Sequence, residues 1–323
     1  MSEENRFTYP GDLDFHRFKG MIERLDRPKG MVDAVLDTDT FNEVDDQFAI
    51  AYLLQSEEKI NVKAIMAAPF LNHHSDTPGD GMERSYREIW YVMELMGREK
   101  DAPEIWKGAD RFLPDETTPV ESEGARKLIE LSKNYTRENP LYVICIAAPV
   151  NIASAILMDP GITDRIFVIW SGGVRLDWPD CKCFNGGQNV AASRVLFESD
   201  TPLVLTPGRA MADHLLTTGP ELTYWLKGKN AFCDYMIEKT IHEAELFAEG
   251  KVWSRPLTDV VPIAWLVDGS MVLDRMEFRP TIEYTKYYSH DPRRPMMRYV
   301  YYIKRDMILN DLFDKLARIQ EVV

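Results

Sequence analysis

Cysteine and long apolar runs are both scarce in this sequence. Its 323 residues include four Cys, and two of them, Cys181 and Cys183, are too close together for an easy disulfide. No second Cys or His pair completes a zinc site beside them, which favours reduced thiols. No stretch approaches the roughly 18 apolar residues of a transmembrane helix, and the N-terminal M-S-E-E-N-R-F lacks a signal-peptide core. We therefore expect a cytoplasmic protein with no membrane partner.

Positive charge is also in short supply. The chain has 38 Lys and Arg residues against 52 Asp and Glu residues, which gives a formal net charge of -14. A nucleic-acid backbone requires a positive protein surface, so this balance disfavours nucleic acid as a partner. The hydrophobic fraction of 45% is ordinary for a globular protein. A bound cation would neutralise part of the negative excess.

Four carboxylates are concentrated where a strand is predicted to end and a helix to begin. The run 35–54 reads V-L-D-T-D-T-F-N-E-V-D-D-Q-F-A-I-A-Y-L-L and contains Asp37, Asp39, Asp45 and Asp46. Open α/β sheets place their binding crevice at such strand ends. Carboxylates this close repel each other, and Ca²⁺ or Mg²⁺, which take oxygen ligands, would remove the conflict. A helix capped by one Asp in a solvated loop is the simpler interpretation, but four Asp favour a cation site.

The rest of the chain alternates predicted strands and helices, which indicates a parallel sheet. Buried strands are predicted at Val32–Leu36, Val62–Ala68, Leu141–Ala147, Arg165–Ser171 and Leu203–Thr206. We expect an α/β fold with a Rossmann-like open, mainly parallel sheet flanked by helices. Residues 1–30 are interpreted as an N-terminal extension and 31–323 as one domain, with a helical segment, about 209–258, over the site. Residues 101–123 are predicted to be irregular, and a strand is expected at Thr281–Tyr287.

The acidic run resembles the opening motif of the inosine–uridine preferring nucleoside hydrolase family. That family has a strand followed by Asp-x-Asp-Pro-Gly-x-Asp-Asp, and residues 37–46 here read D-T-D-T-F-N-E-V-D-D. All four Asp are kept, while Thr-Phe replaces Pro-Gly and about two residues, such as Asn42 and Glu43, are inserted. A later P-V-N-I-A, residues 149–153, resembles the family's Pro-Leu-Thr-Asn-Ile-Ala. There the residue before Asn, which is Val150 here, gives its backbone carbonyl to the metal.

Three further motifs follow in the family's order. Gly172–Gly173 resembles its Gly-Gly after a central strand. Asn185 matches the ribose-binding Asn of Glu-Phe-Asn, with Cys183 in place of the Glu. Asp259 resembles the distant metal carboxylate of a His-Asp pair, with Thr258 in place of the His that is a proposed leaving-group acid. The chain is therefore identified as a divergent member, and the resemblance covers nearly its whole length.

The resemblance implies metal-dependent hydrolysis of the N-glycosidic bond of a ribonucleoside, giving ribose and free base. It implies Ca²⁺ as cofactor, a small-molecule nucleoside or related riboside as partner, and a homodimer or homotetramer. Asp39 is the predicted general base, which would take a proton from a metal-bound water. The predicted metal ligands are Asp37, Asp39, Asp46, Val150 and Asp259. The predicted substrate contacts are Asp45, Asn185, Asn42, Asp177, Trp178 and Trp253.

Two other functions remain open at the level of the sequence. A strand followed by Asp-x-Asp also opens the haloacid-dehalogenase-like phosphatases, but Phe41 stands where Thr or Val is usual there. The altered Cys183 and Thr258 positions would also suit a metal-dependent nucleoside- or sugar-binding protein with little turnover. Because Thr258 cannot protonate a leaving base, the acid is open, and the candidates by residue type are His73, His74, His242 and Tyr224.

Overall fold

A central sheet organises the protein in the computed structural model, which describes residue 20 and residues 22–320. The strands of that part, in chain order, are β1 (Val32–Thr38), β2 (Ile60–Ala67), β3 (Glu104–Lys107), β4 (Leu141–Cys145), β5 (Ile166–Ser171), β6 (Leu203–Thr206), β7 (Leu216–Thr217), β8 (Arg255–Pro256), β9 (Val272–Phe278), β10 (Thr281–Ile282), β11 (Tyr288–Ser289) and β12 (Met296–Ile303). Eight of them form one sheet in the order β3-β2-β1-β4-β5-β6-β12-β9. The pairs β7–β8 and β10–β11 are separate two-stranded sheets.

The strand order reverses beside β1. This strand pairs in parallel with β2 on one side and with β4 on the other. The chain first builds the sheet outward through β2 and β3, then crosses back to add β4, β5 and β6. Within the eight-stranded sheet, the β12–β9 pairing is antiparallel. The predicted open, mainly parallel sheet is confirmed, and its binding crevice is expected where β1 and β4 end.

Helices cover both faces of this sheet. From residue 24 to residue 320, the α-helices are α1 (Asp45–Leu54), α2 (Pro78–Leu95), α3 (Glu123–Ser132), α4 (Val150–Met158), α5 (Phe184–Gln188), α6 (Val190–Glu198), α7 (Gly219–Leu226), α8 (Ala231–Ala248), α9 (Val260–Val267) and α10 (Arg305–Leu316), and short 3₁₀-helices lie at Pro160–Asp164, Ala212–His214 and Gly269–Met271. In β1, Ala34 and Leu36 belong to one buried apolar cluster and Val35 to the other. Successive side chains of a strand point to opposite faces, so a continuous apolar run predicts a strand covered on both sides.

The structure differs from the sequence prediction in two segments. Residues 101–123, predicted as irregular, contain β3, which is ordered by parallel pairing with β2 at the sheet edge. The predicted strand Thr281–Tyr287 is instead interrupted by a turn between β10 and β11. Lys286 adopts a left-handed conformation with φ 61°, and this reverses the chain direction. Propensity alone did not reveal either feature, because both depend on pairing partners and backbone reversal.

The structure describes only part of the predicted N-terminal extension. Residues 1–19 and 21 of the predicted N-terminal extension lie outside the described residues. The division into an extension and one domain therefore stays a prediction. Among residues 20 and 22–320, no helix has the length and apolar character needed to cross a membrane.

The start of α2 packs tightly against the loop that follows β2. A Cβ atom added to Gly81 would overlap the carbonyl oxygen of buried Phe70. We expect Gly81→Ala to lower the free energy of unfolding by about 1–3 kcal/mol through this overlap. Helix propensity alone has the opposite sign, since Ala in a helix is favoured over Gly by roughly 1 kcal/mol. Urea denaturation of the variant measures the difference.

Gly30→Ala is the matched control, because an added Cβ there has nothing within 4 Å. We expect that control to change the free energy of unfolding by less than about 0.5 kcal/mol. A Gly81→Ala variant as stable as the unchanged protein would show that α2 and the loop do not pack as described.

Candidate active site at the ends of the parallel strands

Five buried carboxylates converge at the strand-order reversal. Asp37 lies near the end of β1, and Asp39 follows that strand directly. Asp45 and Asp46 are the first two residues of α1, while Asp259 immediately precedes α9. Each of the five side chains is at most 5% exposed. The four Asp of the acidic run and the distant Asp259 therefore meet, as the resemblance implied.

The spacing of these carboxylates suits a single cation. Asp45, Asp46 and Asp259 each offer one oxygen, and the three oxygens lie within 4.8 Å of one another. Calcium ligands lie about 2.3–2.6 Å from the ion, so ligands on opposite sides of it are about 5 Å apart. The cluster has the size of a metal-binding group.

Several oxygens of the cluster have no hydrogen-bond partner. Both carboxylate oxygens of Asp39, Oδ2 of Asp46 and Oδ1 of Asp259 are buried and unpartnered. A buried polar atom without a partner is destabilising, and native proteins rarely leave one unsatisfied. Four such oxygens together fit the ligand set of a hard divalent cation. The unpartnered atoms of the cluster are all carboxylate oxygens, which favours Ca²⁺ or Mg²⁺ over softer metals.

The electrostatics of the cluster also favour a positive charge among the carboxylates. Burial raises the pKa of the Asp37 carboxyl to about 7. Burial, followed by the negative charge of neighbouring Asp side chains, raises the pKa values of Asp39, Asp46 and Asp259 well above their ordinary range. A positive charge among them would favour the ionised forms again.

Hydrogen bonds from uncharged side chains hold the other oxygens in place. Asn151 Nδ2 donates to Asp37 at 2.8 Å, and Thr38 Oγ1 donates to Asp46 at 2.6 Å. Asn151 also accepts a hydrogen bond from the backbone N–H of Ala109 at 2.7 Å, which fixes its amide. From the sequence Thr38 has no role, and Asn151 suits the N-cap of the helix after β4. In the structure that helix follows Pro149 without a side-chain cap, and the Asn151 amide binds Asp37 instead. Both residues carried a signal, because Thr38 lies between Asp37 and Asp39 and Asn151 belongs to the P-V-N-I-A motif.

Val150, the predicted carbonyl ligand, is the first residue of α4, in the turn after β4. Asp37 is the register partner of Cys145, the last residue of β4. The turn that contains Val150 therefore follows the strand beside Asp37. Its role as a ligand stays a prediction.

A pocket of about 230 Å³ opens beside the carboxylate cluster. Among the predicted site residues, its wall contains Asn42, Asp45, Asn185 and Asp259. Gly208, Arg209, Pro256 and Thr258 also line it, so both ends of the segment 209–258 reach the site.

Three predicted substrate residues lie elsewhere. Asp177 is exposed and pairs with Arg175 through contacts of 2.6 and 2.7 Å. Trp178 is 42% exposed and does not line the pocket. Trp253 lies in a separate groove with Tyr224. These three side chains do not line the pocket, and their role as substrate contacts stays a prediction. An Asp that neutralises a neighbouring Arg and two surface rings carry no directional information in sequence.

The loop after β2 is connected to the acidic run. Asn72 Nδ2 donates to Asn42 Oδ1 at 2.6 Å, and the ring of His74 meets that of Phe41 with centroids 6.0 Å apart. His73, His74 and Glu243 form a second group whose ligand atoms lie within 4.8 Å of one another. None of the four leaving-group candidates lines the pocket, and within residues 20 and 22–320 His74 is the one that contacts the acidic run.

Comparison with known proteins agrees with this geometry. The chain belongs to the inosine-uridine preferring nucleoside hydrolase family, whose model matches residues 34–294. It is accordingly an N-glycosidic hydrolase of the ribonucleoside class. The alternative of a haloacid-dehalogenase-like phosphatase is wrong, and its nucleophile would have been Asp37, which is fully buried and bound to Asn151.

Solved structures show the same fold at low sequence identity. The purine-preferring ribonucleoside hydrolase from Gardnerella vaginalis is 20% identical with a TM-score of 0.67, covering 89% of this chain and 98% of that one. An inosine-uridine preferring nucleoside hydrolase from Bacillus anthracis is 15% identical with a TM-score of 0.64, covering 90% and 100%. The type III effector XopQ, solved with adenosine diphosphate ribose, is 14% identical with a TM-score of 0.66, covering 95% and 99%. Among curated proteins, none matches the sequence significantly.

The raised pKa values predict how stability depends on pH without a cation. Folding raises the pKa of Asp37 from 3.8 to about 7, so the folded state binds more protons than the unfolded state in that interval. The stability that the protonated cluster contributes is therefore lost as the pH rises from 3.8 through about 7. In a chelator at pH 7, we expect Asp39→Asn to raise the unfolding temperature, because it removes a buried carboxyl that must either stay charged or take up a proton on folding. With Ca²⁺ the order should reverse, since the variant loses a ligand.

Asp314→Asn, at an exposed position of α10, is the control for the change of charge. It should shift the unfolding temperature equally with and without Ca²⁺. Thermal denaturation at pH 5 and 7 provides the measurement. An Asp39→Asn variant that is less stable than the unchanged protein in chelator at pH 7 would contradict the uncompensated charge.

Proposed function

We propose that the protein hydrolyses the N-glycosidic bond of a ribonucleoside with Ca²⁺ held by Asp37, Asp39, Asp46, Asp259 and the carbonyl of Val150. The observation that carries this proposal is the set of four buried, unpartnered carboxylate oxygens beside the pocket. Family membership supports the reaction class. When bound, the cation would lower the pKa of a water molecule and neutralise the carboxylates.

Asp39 is the proposed general base. Both of its oxygens are buried and lack a hydrogen-bond partner, so neither is committed to a structural contact. A base must be ionised to accept a proton, and positive charge at the cluster favours that form. The neighbouring Asp37 and Asp46 are less suited, because Asn151 and Thr38 already donate to them.

Asp45 and Asn185 are proposed to bind the ribose hydroxyls, with Asn42 at the pocket edge. The amide nitrogen of Asn185 donates to the carbonyls of Ile146 and Ser171, at 3.0 and 2.9 Å. Its Oδ1 is then the atom that would accept from a sugar hydroxyl. Asp45 accepts from Thr258 Oγ1 at 2.6 Å, so we assign Thr258 the positioning of this carboxylate.

The carboxylates would also act on the sugar itself. Glycosidic cleavage passes through an oxocarbenium-like state, in which positive charge develops on the ribose ring. Fixed negative groups beside that ring stabilise the developing charge without having to reorient. Asp45 and Asp259 line the pocket and suit this role.

His74 is proposed as the group that assists departure of the base. Thr258, which replaces the family's His, is hydrogen-bonded to Asp45 and has no proton of suitable acidity. His74 reaches the acidic run through Phe41 and lies 3.6 Å from Glu243, whose charge stabilises a protonated imidazole. Burial has the largest effect on His74 and lowers its pKa, which would make its protonated form a stronger acid.

The decisive variant for this mechanism is Asp39→Ala. We expect it to lower the rate of base release at least about a hundredfold, since general-base catalysis contributes 10²–10⁴-fold. It should also weaken Ca²⁺ binding. Release of free base from a panel of purine and pyrimidine nucleosides, with Ca²⁺ and with a chelator, is the assay, and the exposed Asp314→Asn is the control.

Near-normal turnover by Asp39→Ala would refute the assigned base. Absence of release from every nucleoside by the unchanged protein, with Ca²⁺ shown to bind, would favour the alternative of a metal-dependent nucleoside- or sugar-binding protein with little turnover.

The proposed role of His74 in base departure can be tested by comparing two substrates. We expect His74→Gln to slow hydrolysis of inosine about tenfold or more, because general-acid catalysis contributes at least that much. Hydrolysis of p-nitrophenyl riboside should change little, since nitrophenolate leaves without protonation. His242→Gln, an exposed His on α8, is the control. An equal loss on both substrates would remove His74 from this role.

A homodimer or homotetramer and a cytoplasmic location remain part of the proposal and rest on the family resemblance and the sequence alone. Light scattering on the purified chain would decide the assembly.

A further inference from the structure

Two cationic side chains line the pocket in addition to its carboxylates. Lys182 lies in the loop after β5, and Arg209 follows β6. They are the Lys and Arg residues among the described residues of the pocket wall. Neither is within ion-pair distance of Asp45 or Asp259 in the described contacts. The pocket therefore has an acidic region and a separate basic region.

The basic region retains a net positive charge. Arg209 Nη1 donates to the carbonyl of Lys182 at 2.9 Å, which keeps the two residues together. Asp180 is their common acidic neighbour, 3.7 Å from Lys182 Nζ and 3.9 Å from Arg209 Nη1. Both distances exceed that of a hydrogen bond, so the ammonium and most guanidinium donors are available to a ligand. One carboxylate facing two cations leaves one positive charge.

The surroundings of the two cations leave room for a ligand. Burial raises the pKa of the Cys183 thiol, so this neighbour stays neutral at pH 7. A Cβ atom on Gly208 would have nothing within 4 Å, which marks open space next to Arg209. Glu43, another acidic residue of the pocket wall, is paired with Arg255 at 2.9 Å. An anion entering this region meets the donors of Lys182 and Arg209.

We propose that the substrate carries a phosphate on its ribose 5′ oxygen and that Lys182 and Arg209 bind this phosphate. The inference rests on the proposed function, and it takes the ribose hydroxyls bound by Asp45 and Asn185 to be the 2′- and 3′-hydroxyls. Carbon 1′ bears the base, so the 5′ oxygen is the position of the sugar left for an anionic group. Arg and Lys are the side chains that bind phosphate most strongly, through charge-assisted hydrogen bonds.

The test compares each nucleoside with its 5′-monophosphate. The ratio of kcat/KM for inosine 5′-monophosphate to that for inosine should be about tenfold or more, and likewise for the uridine pair. The double variant Lys182→Ala/Arg209→Ala should lower this ratio about tenfold or more. Lys100→Ala/Lys227→Ala removes the same charge at exposed positions away from the pocket and should leave the ratio unchanged.

Binding supplies a readout that does not need turnover. In calorimetry with Ca²⁺ present, ribose 5-phosphate should bind more tightly than ribose, and the double variant should lose this difference. The control double variant should keep it. A nucleoside preferred over its 5′-monophosphate, or a ratio unaffected by the double variant, would overturn the proposal while leaving nucleoside hydrolysis intact.

Failure of the proposed function has a different appearance. If neither nucleosides nor their 5′-monophosphates release base, the proposed reaction is wrong. Binding of ribose 5-phosphate then still shows whether Lys182 and Arg209 bind a phosphate. Tighter binding that depends on Lys182 and Arg209 would support it. Equal binding of ribose and ribose 5-phosphate would overturn it.

Discussion

Mutual repulsion among buried carboxylates is the constraint on which the site depends. Asp37, Asp39, Asp45, Asp46 and Asp259 are all withdrawn from water at one edge of the sheet. Bringing such charges together is unfavourable unless a cation or protons compensate them. The fold tolerates the cluster because neutral donors hold some oxygens in fixed directions. The oxygens that remain free are those left for a metal.

The topology explains why this arrangement is available. The reversal of strand order beside β1 leaves a crevice between the ends of β1 and β4. Asp37 is contributed by β1 itself, while Asn151 belongs to the helix that follows β4. Their hydrogen bond joins the two sides of the crevice at 2.8 Å. The same short contact thus orients the Asp37 carboxylate and ties the start of α4 to the end of β1.

The sequence was sufficient for the fold class and for the acidic cluster, but not for the whole pocket. Apolar runs ending in Asp are local patterns with a direct physical meaning, so Asp37 and Asp39 could be found without coordinates. Asp259 required the family resemblance, since nothing nearby in sequence marks it. Trp178 and Trp253 show the limit of residue type, because an aromatic side chain is equally suited to a surface and a binding site. Neither ring lines the pocket, because the position of such a ring depends on loop paths that only packing determines.

The hydrogen bond between Thr258 and Asp45 has a consequence for how the protein is made. These residues are 213 positions apart in the chain. During synthesis the first four Asp leave the ribosome long before Asp259, and until then the cluster lacks one wall. In a nascent chain the carboxylate cluster is therefore incomplete, and the proposed cation site can form only after the residues around Asp259 have been synthesised and have packed against the start of α1. Formation of this site is coupled to folding of the carboxyl-terminal part of the chain.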